Sequence, residues 1–187
     1  MSTLDTPVTA PKGQPIWDTV IRFGGLNSAA AIVISLLFYL SGLNVFSFSG
    51  MALSFGIILL VSFVFAFLSM RHQRDQLDNG LITYGKALLV GFLVLFAGGI
   101  VSGIWNYVLI NFIDPNYISA LKEQFMNTWG EAMPADQLEK TMEQFDKSGE
   151  FLTALKGGII NGAIFSIIVS LITAAFVKRE PKMDYMR

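Results

Sequence analysis

Four apolar runs, each long enough to cross a lipid bilayer as a helix, constrain this chain more than any other feature. A hydrocarbon core of about 30 Å takes roughly 20 helical residues. Runs of that length lie at about 24–43, 46–70, 87–113 and 155–177, and none carries an acidic residue in its interior. In lipid each segment must satisfy its own backbone hydrogen bonds, so separate spans of this kind are helices. Composition agrees: 53% of the 187 residues are hydrophobic and 14% are charged, with 16 Phe, against roughly 25% charged residues in an average soluble domain. The sequence therefore predicts an all-α membrane protein with one four-helix transmembrane domain over 24–177.

Charge placement predicts orientation. The segment between the second and third runs carries Arg71, Arg74 and Lys86. The tail from 178 to 187 carries Lys178, Arg179, Lys182 and Arg187, and the first 23 residues add Lys12 and Arg22. The stretch 114–150 has the opposite character, with eight acidic residues and three lysines, Lys122, Lys140 and Lys147. Basic loops stay in the cytoplasm. Both termini and the Arg71 loop are therefore expected there, in a bacterial inner membrane, with 114–150 facing outward. Met1 to Gln14 is polar and does not read as a secretory signal. Pro15 to Arg22 reads as a short amphipathic, interfacial lead-in.

The outer stretch is patterned. Asp114-Pro115 reads as an N-cap followed by proline in the first turn. Ile118, Leu121, Phe125 and Trp129 then share one helical face, and Gly130 ends the pattern. After Pro134, Asp136 and Glu139 resemble a capping pair, and Leu138, Met142 and Phe145 form a second stripe. Ser148 reads as a cap for the last run. The expectation is an extracytoplasmic amphipathic helical hairpin between the third and fourth spans, lying on the membrane surface or on the bundle.

Within the membrane the clearest pattern is a line of small residues in the fourth run. Gly158, Gly162, Ser166, Ser170 and Ala174 recur every fourth position, and Gly99 and Gly103 share that spacing in the third. Small residues let helix backbones approach closely in lipid. The pattern has two main readings, packing within one chain and an interface with another chain, with a permeation path as a third. Asn27, Asn106 and Asn161 are the main polar groups at depth and are expected to hydrogen-bond across helices. Lys86 and Lys156 read as anchors reaching the interface. Asp75, Asp78 and Asn79-Gly80 read as turn formers, and His72 as a solvated or headgroup-contacting side chain.

Several chemistries are excluded by count. The chain has no cysteine and one histidine, so thiolate and multi-histidine metal sites within one chain fall away. It has no Walker glycine loop, no HExxH and no GxSxG. A formal net charge of −1 gives no global attraction for nucleic acid. The expectation is a protein with no catalytic site and no cofactor. It would act as a structural or accessory subunit whose partners are lipid and either another membrane protein or further copies of itself. A small oligomeric transporter or channel is the alternative. The two separate on whether Asn27, Asn106 and Asn161 line one polar cavity.

Three stretches also have a familiar form. They are Asp78-Asn79-Gly80-Leu81-Ile82-Thr83-Tyr84-Gly85-Lys86-Ala87, Asn111-Phe112-Ile113-Asp114-Pro115, and the closing run from Ile167 to Arg179. In these the chain resembles the domain of unknown function 4199 family of small Bacteroidota inner-membrane proteins. The resemblance implies a four-helix topology and a Bacteroidota source, and it implies no activity, cofactor or site residue.

Overall fold

The structure is a computed structural model that describes residues 15–179. Lys12 and the rest of Met1–Gln14 lie outside the described residues, as do Lys182, Arg187 and the remainder of the tail beyond Arg179. Six α-helices follow in order: α1 Trp17–Ser41, α2 Phe48–His72, α3 Tyr84–Val108, α4 Tyr117–Trp129, α5 Ala135–Lys147 and α6 Phe151–Val177. Single π-helical turns, Gln73–Leu77 and Leu109–Ile113, extend α2 and α3. With those turns, α1, α2, α3 and α6 are the four helices long and apolar enough to cross a membrane. At 1.5 Å per residue, 25 residues reach ~37 Å. The chain is a membrane helical bundle.

The helix ends differ in detail from the sequence expectation. The lead-in Pro15 to Arg22 runs into α1, which begins at Trp17, with Thr19 and Val20 buried and Trp17 and Ile21 exposed. α1 stops at Gly42, whose φ of 62° is the left-handed C-cap that glycine takes without steric cost. Ser47 caps α2 by accepting from the Gly50 N–H at 3.1 Å, and Thr83 caps α3 by accepting from the Lys86 N–H at 3.3 Å. Asn79 and Gly80 make the tight turn, with φ of 53° and 85°.

Asp114 is not the N-cap of α4, which starts at Tyr117. Its carboxylate instead accepts from the Asn116 N–H and the Tyr39 hydroxyl. Asp136 lies inside the first turn of α5 and caps nothing. Ser148 closes α5 rather than opening α6: its hydroxyl donates to the Phe145 carbonyl at 2.6 Å.

α3 is the central helix. It packs most extensively on α6, then on α1 and α2, while α2 also touches α1 and α6. Two ends of the bundle are distinguished below: the terminal end, near residues 17, 77, 84 and 177, and the loop end, which carries α4 and α5. Burial is concentrated toward the terminal end. α1 buries Thr19, Val20, Gly24, Asn27 and Ser28, and α6 buries Ser166, Val169, Ser170, Thr173, Ala174 and Val177. α2 buries Gly50 at its start and then Ser62, Ala66, Ser69 and Met70, with none of its residues from 51 to 60 buried. All four helices thus pack together in the terminal half, while in the loop half α1 and α2 stand off from an α3–α6 pair that stays in contact.

The α3–α6 contact is made through glycine. A β-carbon added at Gly158 would stand 2.7 Å from the Gly99 carbonyl oxygen and 3.1 Å from the Gly103 Cα. One at Gly99 would stand 2.8 Å from the Gly162 Cα, and one at Gly103 would stand 2.7 Å from the Ala154 carbonyl oxygen. The neighbouring Gly157 has nothing within 4 Å of that position. Gly158→Ala is therefore expected to force backbones apart and to destabilise by about 1–3 kcal/mol, as overpacking does. Gly157→Ala, adding the same methyl to open space, should leave the thermal midpoint in detergent unlowered. Equal midpoints for the two variants would contradict the close approach.

Candidate functional site

A cleft of about 620 Å³ lies between α1, α3 and α6 in the loop half of the bundle. Ser35 contributes from α1, Ser102, Trp105 and Asn106 from α3, and Thr153, Asn161 and Phe165 from α6, with the backbones of Gly99, Gly103, Gly157, Gly158 and Gly162 between them. The Trp105 indole N–H donates to the Ser35 hydroxyl at 3.1 Å, which ties α3 to α1 across the cleft wall. Beneath it lies a smaller cavity of about 100 Å³, bounded by all four long helices and lined by Asn27, Ser62 and Gly98 among others. The two spaces share Gly99, Ser102, Gly162 and Phe165. They therefore adjoin along these residues.

The three asparagines divide between these spaces. Asn106 and Asn161, both exposed, line the cleft. Asn27 is buried and lines the smaller cavity, so the three do not line one polar cavity, which counts against transport; two of them do share the cleft. The Asn27 amide nitrogen rests directly on Gly98, where a β-carbon would collide with it. No side chain in either space is ionisable: the polar groups are amides, hydroxyls and the indole N–H.

The small residues of α6 face α3 of the same chain. Gly158 and Gly162 meet Gly99 and Gly103, and about two turns deeper the Ser170 hydroxyl lies against Gly91. Ser166, Ser170 and Ala174 are fully buried. The hydroxyls of Ser166 and Ser170 have no hydrogen-bond partner, unlike Thr173, which donates to the Val169 carbonyl one turn back.

At the loop end the α1–α2 connection packs against α4 and α5. Asn44 donates to the Thr128 hydroxyl at 3.2 Å, and the Trp129 indole donates to the Phe46 carbonyl at 3.0 Å. The Phe46 ring stands edge-on to both Phe125 and Phe145. The apolar stripes of α4 and α5 thus meet each other and this connection, with Lys122 paired to Asp146 beside them. The Tyr39 hydroxyl donates to Asp114 at 3.2 Å. Burial raises the phenol pKa of the adjacent Tyr117, and Tyr39 and Asp114 add to the shift.

Sequence reasoning missed a polar lock at the terminal end. The π-helical turn after α2 buries both Gln73 and Arg74. Gln73 accepts from the Thr19 hydroxyl of α1 at 2.7 Å, and Arg74 donates to the Val177 carbonyl of α6 at 3.0 Å. Asp78 is more than a turn former and Lys86 more than an anchor. They form an ion pair at 2.7 Å with the carboxylate largely buried, and Gln73 donates to the same carboxylate at 3.4 Å. Ile82 and Arg179 exchange two backbone hydrogen bonds, which strap the end of α6 to this loop. The only sequence signal was the placement of Gln73 and Arg74 directly after an apolar run.

A family described as protein of unknown function (DUF4199) matches residues 22–179. The chain belongs to the DUF4199 family. No curated protein and no solved structure matches it. The DUF4199 match takes in the whole cleft, the deeper cavity and every member of the terminal lock except Thr19. Among the described residues no three His, Cys, Asp or Glu side chains gather as a metal-binding group would require.

Because this DUF4199 chain lacks cysteine, any introduced thiol is the sole reporter. Asn106→Cys and Asn161→Cys should react readily with a water-soluble maleimide in intact bilayers. Ser166→Cys, at a fully buried position, should react only after denaturation. Fast labelling at Ser166 would show that the α3–α6 seam opens.

Proposed function

We propose that this chain is a small membrane carrier that takes a neutral, hydrogen-bonding amphiphile into the cleft at its loop end. The observation that carries this reading is the cleft between α1, α3 and α6 in the loop half, with a smaller cavity adjoining it, over a terminal half that is packed tight. The cleft volume falls within the range of about 300–1,000 Å³ usual for small-molecule sites. Asn106, Asn161, Ser35, Ser102 and Thr153 can both donate and accept hydrogen bonds. Trp105 and Phe165 add apolar surface. An ion held there without a countercharge would suffer the full desolvation penalty, which supports a neutral ligand. These groups are suited to binding, and we read the protein as a non-enzyme.

The charge distribution supports the terminal end in the cytoplasm and α4–α5 outside, in a bacterial inner membrane. The cleft would then open outward while the Gln73–Arg74 lock holds the inner end shut. An accessory role in a larger assembly is the second reading. It is favoured by the unburied stretch of α2 from 51 to 60. A partner would use that surface, because α3 of the same chain already covers the small-residue face of α6.

The test uses Trp105 as reporter, with Trp17→Phe and Trp129→Phe removing the other two tryptophans. In nanodiscs, a neutral monoacylglycerol should change its fluorescence saturably, and the matching fatty-acid anion should bind more weakly. Asn106→Leu with Asn161→Leu should weaken the neutral ligand roughly tenfold or more, the loss of two hydrogen bonds at about 1 kcal/mol each. Binding that never saturates, or that ignores both substitutions, would remove the carrier reading. A defined heteromeric complex on native mass spectrometry would favour the accessory one.

A further inference from the structure

A second recess, of about 320 Å³, lies between α1 and α2 at the terminal end, far from the cleft. Its wall changes character along α2. Leu68, with Phe23 of α1 opposite, is apolar; Arg71 and His72 follow one turn on, then Asp75 and Gln76. From Leu68 to Gln76 is ~12 Å along the helix axis. The recess therefore grades from hydrocarbon to charge in the direction in which α2 leaves the membrane. A phospholipid has that same gradient from acyl chain to headgroup.

The recess wall itself carries one ion pair, Arg71 with Asp75, and His72; two further guanidiniums adjoin it, Arg74 on Asp75 and Arg22 beside Phe23. Arg71 and Arg74 share one carboxylate, Asp75, at 3.2 and 2.6 Å. Arg71 uses its Nε for that contact, and its side chain is 59% exposed, so the outer edge of its guanidinium faces outward. From α1, the Arg22 guanidinium lies 5.9 Å from the centre of the Phe23 ring, and the His72 ring lies 5.3 Å from the same ring on its α2 side. Asp78, close by in sequence, is paired with Lys86. Three guanidiniums thus stand against the single carboxylate of Asp75. A phosphate diester supplies one negative charge and a planar pair of oxygens that a guanidinium edge can bind bidentately. Basic pockets between membrane helices on the cytoplasmic side suit anionic headgroups for this reason.

We infer that the α1–α2 recess is a headgroup site for an anionic phospholipid, with the phosphate on Arg71 and Arg22 and an acyl chain along Leu68 and Phe23. The site is independent of the carrier reading, since it shares no residue with the cleft.

The test is lipid retention by the full chain in mild detergent, read by native mass spectrometry with phosphatidylglycerol or phosphatidylcholine added. One phosphatidylglycerol per chain should be retained in preference to phosphatidylcholine by roughly tenfold or more. Arg22→Gln with Arg71→Gln should abolish the preference while Asn106→Leu leaves it intact. Arg71→Lys, which keeps the charge and loses the planar edge, should weaken it partially, and this holds the test open if the double variant fails to fold. Equal retention of the two lipids would overturn the assignment, as would a preference surviving in both arginine variants. Displacement of the lipid by millimolar inorganic phosphate would assign the recess to free phosphate and overturn the lipid assignment too.

Discussion

The rest of the bundle depends on one contact, the approach of the α3 and α6 backbones through Gly99, Gly103, Gly158 and Gly162. In lipid, burying apolar side chains gains little, because the solvent is as apolar as they are; association rests on van der Waals fit. Four glycines turn the seam into a backbone-to-backbone surface in which carbonyl oxygens and Cα atoms meet directly. α3 is thereby fixed against α6 along most of its length, and α1 and α2 are placed against a ready-made pair. The same glycines form part of the cleft floor. Their missing side chains serve twice, bringing two helices together and leaving room beside them.

That double use explains why the molecule is tight at one end and open at the other. Toward the terminal end the α3–α6 seam passes from glycine to serine and alanine. Met70 of α2 fills the space beside Gly91, and Val169, Ala174 and Val177 complete the core. Toward the loop end no comparable side chains from α2 reach inward. The connection before α2 is held instead by α4 and α5, through Asn44–Thr128, Trp129–Phe46 and the three phenylalanines. The cleft thus lies between the α3–α6 seam, the Trp105–Ser35 tie to α1 and the loop contacts that hold the start of α2.

What the sequence revealed followed from the strength of each local signal. Twenty-residue apolar runs separate themselves from polar loops, and the four spans emerged with their ends shifted by a few residues. Glycine at every fourth position announces a close approach, but cannot say whether the facing helix belongs to the same chain; only the fold brings Gly99 opposite Gly162. The caps were harder to read. Asp114, Asp136 and Ser148 have the right chemistry for N-caps, yet each sits beside a helix end where another residue takes that place, because a helix start is set by packing as well as by the capping group. The cleft was legible only in its parts: Asn106 and Asn161 were visible as polar groups at depth, and their common space depends on α2 standing off.

The π-helical turns were invisible in sequence, and they account for the polar lock. A π turn widens the helix by one residue per turn and redirects the side chains that follow. After α2 it carries Gln73 and Arg74 into the bundle, so that one ties α1 and the other α6. After α3 it buries Leu109 and Ile110 in the same way at the loop end. Each turn closes on an aspartate whose N–H reaches back five residues, Asp78 to the Gln73 carbonyl at 2.9 Å and Asp114 to the Leu109 carbonyl at 2.8 Å. Each of those carboxylates then takes a donor from elsewhere, Lys86 in one case and Tyr39 in the other. Two helices that lead away from the membrane in opposite directions therefore end alike. A carrier that alternates between open ends would have to release such a closure at one side while keeping it at the other. In this structure the Asp78 closure carries the inter-helix ties of the lock, and the Asp114 closure sits beside the open cleft.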